Sequence, residues 1–281
     1  MINKTDFNHL LGSTACWTAA VRAEENKRED ALFRDPWAAA LAGETGAAWL
    51  AQRAEGSTLP ILLRTKYFDD FLQKIVQEYP VRQVVLMAAG MDTRAFRLNW
   101  PAETQIYEID QPGVLQEKEA VLTSMGAQPT CDRRVVAQDL TGAWSEKLLQ
   151  AGFQAQQASL WLLEGFLFYL PNDQVCRILE EASRLASAGS WMGFDVVNSF
   201  MLTNPYTRGW VEMQADSGAP WVGTMDDPVG TLAGLGWRAA LTQAGQPDAH
   251  YGRWVLPVLP TDMPAFPHNW LVTAQKIKNS D

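Results

Sequence analysis

The sequence predicts a doubly wound α/β fold, and three observations within residues 83–110 carry that prediction. Q-V-V-L-M at 83–87 is a short apolar run rich in β-branched residues, as in a buried parallel strand. A-A-G-M-D-T-R at 88–94 follows as a small-residue turn ending on polar groups. T-Q-I-Y-E-I-D at 104–110, after a break at Trp100-Pro101, is a second strand-like run that ends on an acid. Gly90 and Asp110 lie 20 residues apart. In such folds a small residue in the first strand-to-helix turn admits a ligand to the backbone. An acid at the tip of the second strand takes ribose hydroxyls.

Two cofactor classes use this geometry. A dinucleotide site needs G-x-G-x-x-G to seat a pyrophosphate on a helix N-terminus. Here Ala88, Ala89, Gly90, Met91, Asp92 and Thr93 offer one glycine and then an acid that would repel a pyrophosphate. S-adenosylmethionine (SAM) has no phosphate and is cationic at sulfur, so the turn favours SAM. The bland alternative is an ordinary α/β core turn.

The elements follow in order. Residues 5–27 carry apolar groups at helical spacing, with Phe7, Leu10, Leu11, Trp17 and Val21 as the larger members. The charged end, 22–30, reads as a mostly solvated face. A second helix is expected over 31–42, with Asp35-Pro36 at its start and Gly43 as its stop. A third spans 47–54, a loop falls at Gly56-Ser57, and a long helix covers 59–78. Residues 1–80 therefore form a helical cap before the sheet. Beyond Asp110, a helix opens at Pro112 and ends near Gly126. Strands are expected at 133–137, 159–163, 188–197, 237–241 and 269–275, with helices at 144–152, 171–186 and 227–235. The stretch 198–228 reads as an inserted lid. The chain divides into a cap (1–80), a core (81–197), a lid insert (198–230) and C-terminal strands (231–281) within one domain.

Composition bounds the rest. The 281 residues are 47% hydrophobic and 20% charged, the balance of a globular chain. A net charge of −9 and the lack of a long basic stretch argue against nucleic acid as a partner. Cys16, Cys131 and Cys176 are dispersed and odd in number, which fits a reduced cytoplasm without disulfides or a Cys-rich metal site. His9, His250 and His268 have no ligand spacing, so no metal is expected. The polar N-terminus is no signal peptide, and the apolar run 160–170, interrupted by Glu164, is too short to span a bilayer. Twelve tryptophans suit core packing or an apolar pocket.

Asp110, Asp139 and Glu164 each sit at the C-terminal end of an expected parallel strand, where ligands of open α/β sheets bind. The functional reading gives Asp110 to ribose hydroxyls, Asp139 to the adenine amino group and Glu164 to the methionine ammonium. Arg64 would fork onto the methionine carboxylate. The alternatives are three exposed loop acids and a surface ion pair.

These residues also carry a resemblance. R-A-E-E-N-K-R-E-D-A-L-F-R-D-P-W-A-A-A-L-A-G (22–43), R-T-K-Y-F-D-D (64–70), A-A-G-M-D-T-R-A-F-R-L (88–98), Y-E-I-D-Q-P (107–112), Q-D-L (138–140) and E-G-F-L-F-Y-L-P (164–171) resemble the leucine carboxyl methyltransferase family, in particular its bacterial branch of SAM-dependent O-methyltransferases. So do G-W (236–237) and Y-G-R (251–253). The resemblance implies a Rossmann-like methyltransferase with a seven-stranded, mostly parallel sheet, an antiparallel last strand and a helical N-terminal lid. It implies Arg64, Ala89, Gly90, Asp110, Asp139, Leu140 and Glu164 as SAM contacts, with Leu140 acting through its backbone beside adenine. Tyr169 falls near the transferred methyl or the acceptor. Two departures stand out: Ala88 replaces the glycine that usually begins the turn, and Thr141 replaces an arginine often found after Asp-Leu.

A carboxylate acceptor is ionised at neutral pH and needs no general base, whereas a hydroxyl does. The absence of a Ser-His-Asp or Cys-His pattern points to a carboxylate of a small molecule or peptide. Tyr169 and Arg22 are the candidates for holding the acceptor; the alternatives are a buried tyrosine and a solvated helix face. Trp17, Trp210, Met213 and Trp221 would line its pocket or simply pack lid on core. Methylation at a phenolic oxygen, nitrogen or carbon, or a non-catalytic SAM-binding scaffold, are the other functional classes.

Overall fold

The computed structural model describes residues 4–53, 58–263 and 265–277, with side chains from residue 12 onward. Three helices come first: α1 (Lys4–Glu25), α2 (Ala38–Ala51) and α3 (Leu59–Glu78). The alternating core follows as β1 (Gln83–Met87), α4 (Arg94–Arg97), β2 (Gln105–Asp110), α5 (Pro112–Ser124), β3 (Asp132–Ala137), α6 (Trp144–Gln150) and β4 (Ser159–Leu163). A 3₁₀ turn (Leu167–Tyr169) leads into α7 (Asn172–Leu185) and β5 (Trp191–Val197). The insert folds as α8 (Ser199–Thr203) and α9 (Arg208–Asp216). After it come α10 (Pro228–Gly234), β6 (Trp237–Gln243) and β7 (Asn269–Lys276). No helix among the described residues is long and apolar enough to cross a membrane.

The seven strands lie in the order β3-β2-β1-β4-β5-β7-β6. The first five run parallel, and β7 is antiparallel to both β5 and β6. Chain order reverses between β1 and β4, which opens a crevice at the carboxyl ends of the strands. All five residues of β1 and all five of β4 are buried, because helices cover both faces of the sheet. Alternate residues feed two separate apolar layers. Val85, Met87, Trp161 and Leu163 enter one; Val84, Leu86, Leu160 and Leu162 enter the other. Edge strand β3 carries Arg133 and Arg134, charges that discourage pairing with another chain.

The helical cap packs as a tight pair. A Cβ on Gly46 of α2 would run into the backbone carbonyl of Cys16 on α1, so only glycine allows this approach.

Three expectations change. The second helix begins at Ala38, not residue 31, because Asp35 is drawn into the core: it is fully buried and accepts from Arg22 and Thr93. The second and third expected helices join as α2 across a break at Gly43 (φ 54, ψ −162). The charged stretch 22–30 is not a simple solvated face, since Arg22 and Glu25 are buried. Glu25 accepts from the Leu32 N–H and from Arg253. The side chains of Phe7, Leu10 and Leu11, and the loop at 56–57, lie outside the described residues.

Candidate active site

One cavity of ≈ 780 Å³ opens at the strand ends. Arg64, Ala89, Gly90, Asp110, Asp139, Leu140 and Glu164 all line it. β1 delivers the turn at 88–93, and β2 delivers Asp110. The Gly90 N–H donates to Asp110 Oδ2 at 2.6 Å, and the Gln111 N–H donates to Oδ1 at 2.6 Å. Burial pushes the Asp110 carboxyl up from its ordinary value, while these two N–H groups pull it back. Asp139 follows β3 and accepts from the Thr141 N–H at 2.8 Å and its hydroxyl at 2.7 Å. Ala88 adopts φ 52, a left-handed backbone that costs a residue with a Cβ.

Beneath the turn lies a buried ion network. Arg64 Nε donates to Glu164 at 3.0 Å and Nη1 to Asp195 at 2.8 Å. Arg94 donates to Asp69 at 2.7 Å, to Glu164 at 2.7 Å and to Asp92. Arg97 pairs with Asp69 at 2.6 Å. Burial works against the charged form of Asp92, but Arg94, Lys118 and Arg97 outweigh it and hold the carboxyl at about 2. Arg64 is therefore no surface ion pair, and the strand-end acids are not exposed loop residues. Arg22 also lies in this network: its Nε donates to Asp35 at 2.8 Å and its Nη2 to the Met91 carbonyl at 2.5 Å. It lines the cavity as a tie between α1 and the 88–93 turn.

The outer lobe is aromatic. Trp17 and Trp210 have ring centroids 6.2 Å apart, Trp210 and Trp221 6.0 Å, and Trp221 and Phe168 4.4 Å. Tyr169 adjoins Phe168 at 4.8 Å. Burial pushes its phenol above the ordinary value, against the pull of Trp221, Arg64 and Thr14. Met213 does not line the cavity; the next residue, Gln214, does.

Sequence reasoning missed Arg94, Asp69, Asp195, Gln214 and His268. Asp195 had a signal, as the lone acid in the apolar run W-M-G-F-D-V-V, since an acid in a buried strand needs a partner. Arg94 stood in the quoted turn without a role. Gln214 and His268 had no local signal, because only the chain's return places them at the cavity.

The sequence profile of the leucine carboxyl methyltransferase family matches residues 15–183. The chain belongs to this family. It is similar to two relatives that bear the name "Putative S-adenosyl-L-methionine-dependent methyltransferase". One, from Streptomyces coelicolor, is 39% identical over 259 residues, covering 86% of this chain and 88% of that one. The other, from Frankia alni, is 41% identical over 262 residues, covering 87% and 88%. In fold the chain is similar to a DUF574 family protein of Streptomyces avermitilis (TM-score 0.63, 12% identity, covering 94% of this chain and 97% of that one). Its fold is the Rossmann-like methyltransferase fold, and as a leucine carboxyl methyltransferase family member it is a SAM-dependent methyltransferase.

The residues of this family member fit the cofactor. A Cβ on Gly90 (φ +44) would sit 3.0 Å from Ala15 Cβ, and one on Gly165 would sit 2.8 Å from the Arg64 guanidinium. Both glycines let Ala15 and Arg64 close onto the backbone at the cavity wall. Asp92, Asp110, Asp139 and Glu164 line the cavity with Arg22, Arg64, Arg94 and Arg97, and Asp35, Asp69 and Asp195 hold those arginines from behind, so the lining together with the acids bonded to it leans negative, a balance suited to a cation.

Proposed function

We propose that this methyltransferase transfers methyl to a carboxylate oxygen of a small natural product or peptide, giving a methyl ester. SAM supplies an electrophilic methyl group. In this reading Asp110 would hold the ribose hydroxyls, Asp139 and the Leu140 backbone the adenine, Glu164 the ammonium and Arg64 the carboxylate of the methionine moiety. Trp17, Trp210 and Trp221 would wall the acceptor, and the Tyr169 hydroxyl would donate to it.

The supporting observation is that no side chain in the outer lobe is set up as a base, among the described residues. Burial keeps the Tyr169 phenol protonated. His268 lines the cavity, but its Nδ1 faces Gln243 Oε1 at 3.2 Å and its Nε2 faces the Met263 carbonyl at 3.3 Å. Both nitrogens face protein oxygens and are thereby engaged away from a substrate. An acceptor ionised near pH ~4 needs none. Alignment in a closed lobe, worth up to roughly 7–11 kcal/mol when positioning is ideal, then carries the catalysis.

The test is product chemistry. The enzyme is incubated with radiolabelled SAM and a panel of apolar carboxylic acids and phenols. Label released as methanol by mild base marks an ester and supports the reading. Base-stable label marks an ether, amine or carbon product and removes it.

A further inference from the structure

Helix α9 has one buried side chain, and it is polar: Gln214, 1% exposed. Arg53 Nη2 donates to Gln214 Oε1 at 3.3 Å. A guanidinium has only donors, so this contact fixes the amide, with oxygen toward Arg53 and Nε2 on the opposite side. Gln214 Nε2 is buried and has no hydrogen-bond partner among the described residues. The Trp17 indole N–H, also buried, has none either. Both residues line the cavity. Arg53 lies behind them, its guanidinium 4.0 Å from the Trp17 ring centroid and 4.5 Å from that of Trp49.

An unmet buried donor costs about 1–3 kcal/mol, and the indole N–H groups of cavity-lining Trp221 and Trp254 are unmet as well, so the cluster calls for an explanation. The orphaned atoms are all N–H groups, and the charge beside Gln214 and Trp17 is positive. An incoming group that satisfies them must accept hydrogen bonds and tolerate or prefer a nearby cation. The surrounding tryptophans ask for a flat or apolar frame.

We propose that Gln214 Nε2 and Trp17 Nε1, with Arg53 behind them, form a recognition subsite for a negatively charged or carbonyl oxygen on an aromatic-framed acceptor. This inference rests on reading the outer lobe as the acceptor site. Gln214 and Trp17 act as binding residues. Arg53 is a positioning residue that sets the amide and supplies the field.

The test uses the full chain saturated with S-adenosylhomocysteine and two probes of one shape, 2-naphthoate and 2-methylnaphthalene, titrated calorimetrically. Naphthoate is expected to bind at least about tenfold more tightly than the hydrocarbon, as a hydrogen bond to a charged group predicts. Gln214→Glu, which replaces the donor by a carboxylate oxygen, should weaken naphthoate by about tenfold or more. It should leave the hydrocarbon and S-adenosylhomocysteine unchanged. Equal binding of the two probes, no naphthoate binding to the wild type, or no loss in Gln214→Glu would overturn the proposal. If Gln214→Glu no longer binds S-adenosylhomocysteine, Trp17→Phe, which keeps a ring and loses the N–H, is judged by the same criteria. Naphthoate binding that depends on Gln214, together with base-stable methylated product, would end the carboxylate-transfer reading and leave this one standing. Methyl esters formed with an acceptor KM indifferent to both substitutions would do the reverse.

Discussion

The backbone N–H of Gly90 donates to the carboxylate of Asp110 at 2.6 Å, joining the turn after β1 to the last residue of β2. A second N–H, from Gln111, takes the other oxygen. Asp110→Asn can accept with only one oxygen and must turn an NH₂ toward one of those donors. We expect stability to fall by about 1–3 kcal/mol, read by urea unfolding. S-adenosylhomocysteine affinity should fall at least about tenfold, read by calorimetry. Unchanged affinity would remove Asp110 from the cofactor site.

Ala88 holds φ 52 at the mouth of the same turn. Glycine would relieve a left-handed strain of about 1–2 kcal/mol and return roughly 0.4–1 kcal/mol of it as chain entropy. Ala88→Gly should therefore stabilise the fold by about 0.5–1 kcal/mol. Gly90→Ala should do the opposite, because its φ is +44 and the new methyl meets Ala15 at 3.0 Å. Chemical denaturation of the two variants decides both signs.

Asp92 links the site to pH. Its folded value of about 2 lies below the ordinary 3.8, so the unfolded chain binds its proton first. The stability it contributes is fully present above the unfolded value and is lost as pH falls through the folded one. Its size is about 2 kcal/mol from the difference. Unfolding free energies measured from pH 5 to pH 2 should fall less steeply in Asp92→Asn than in the wild type.

Arg94 bonds Asp69, Asp92 and Glu164 at once and is almost wholly buried. Arg94→Met would leave Asp92 with no salt bridge among the described residues, and Asp69 and Glu164 held by Arg97 and Arg64 alone; breaking a buried pair costs about 3–5 kcal/mol. We expect the melting temperature to drop steeply. A loss under about 1 kcal/mol would mean the network is held mainly by its other guanidiniums.

Trp210 separates the two halves of the cavity's work. Its ring neighbours are Trp17 and Trp221. Trp210→Ala should raise the acceptor KM several-fold, since an aromatic contact is worth about 0.5–1.5 kcal/mol beyond the area it buries. The SAM Kd should stay near the wild-type value. Equal changes in both would make Trp210 a packing residue.

Much of this arrangement was legible in the chain. The extents of β1 and β4 and the whole of α3 follow from local patterns, because buried strands and a two-faced helix write their environment into composition. The strand-end acids were legible too, since the topology places strand tips in one crevice. Arg22 was legible as a candidate but its ties were not, because a charged residue in a charged run looks solvated until Asp35 and Met91 close on it. The sequence points to Met213, because apolarity is the usual sign of a pocket wall, and gives Gln214 no such sign. Here the amide is buried and the thioether lies off the cavity.

The contact of Gly46 with the Cys16 carbonyl, together with the bonds of Arg22 to Asp35 and Met91, fastens the first two helices to each other and to the 88–93 turn. The first of them supplies cavity wall through Thr14, Ala15, Trp17, Thr18 and Arg22. Tyr206 and Leu256, which also line the cavity, are exposed. The seat at the strand ends and this exposed rim are thus built from separate parts of the chain. Exchanging the rim segments between relatives would retarget such a catalyst without disturbing the seat.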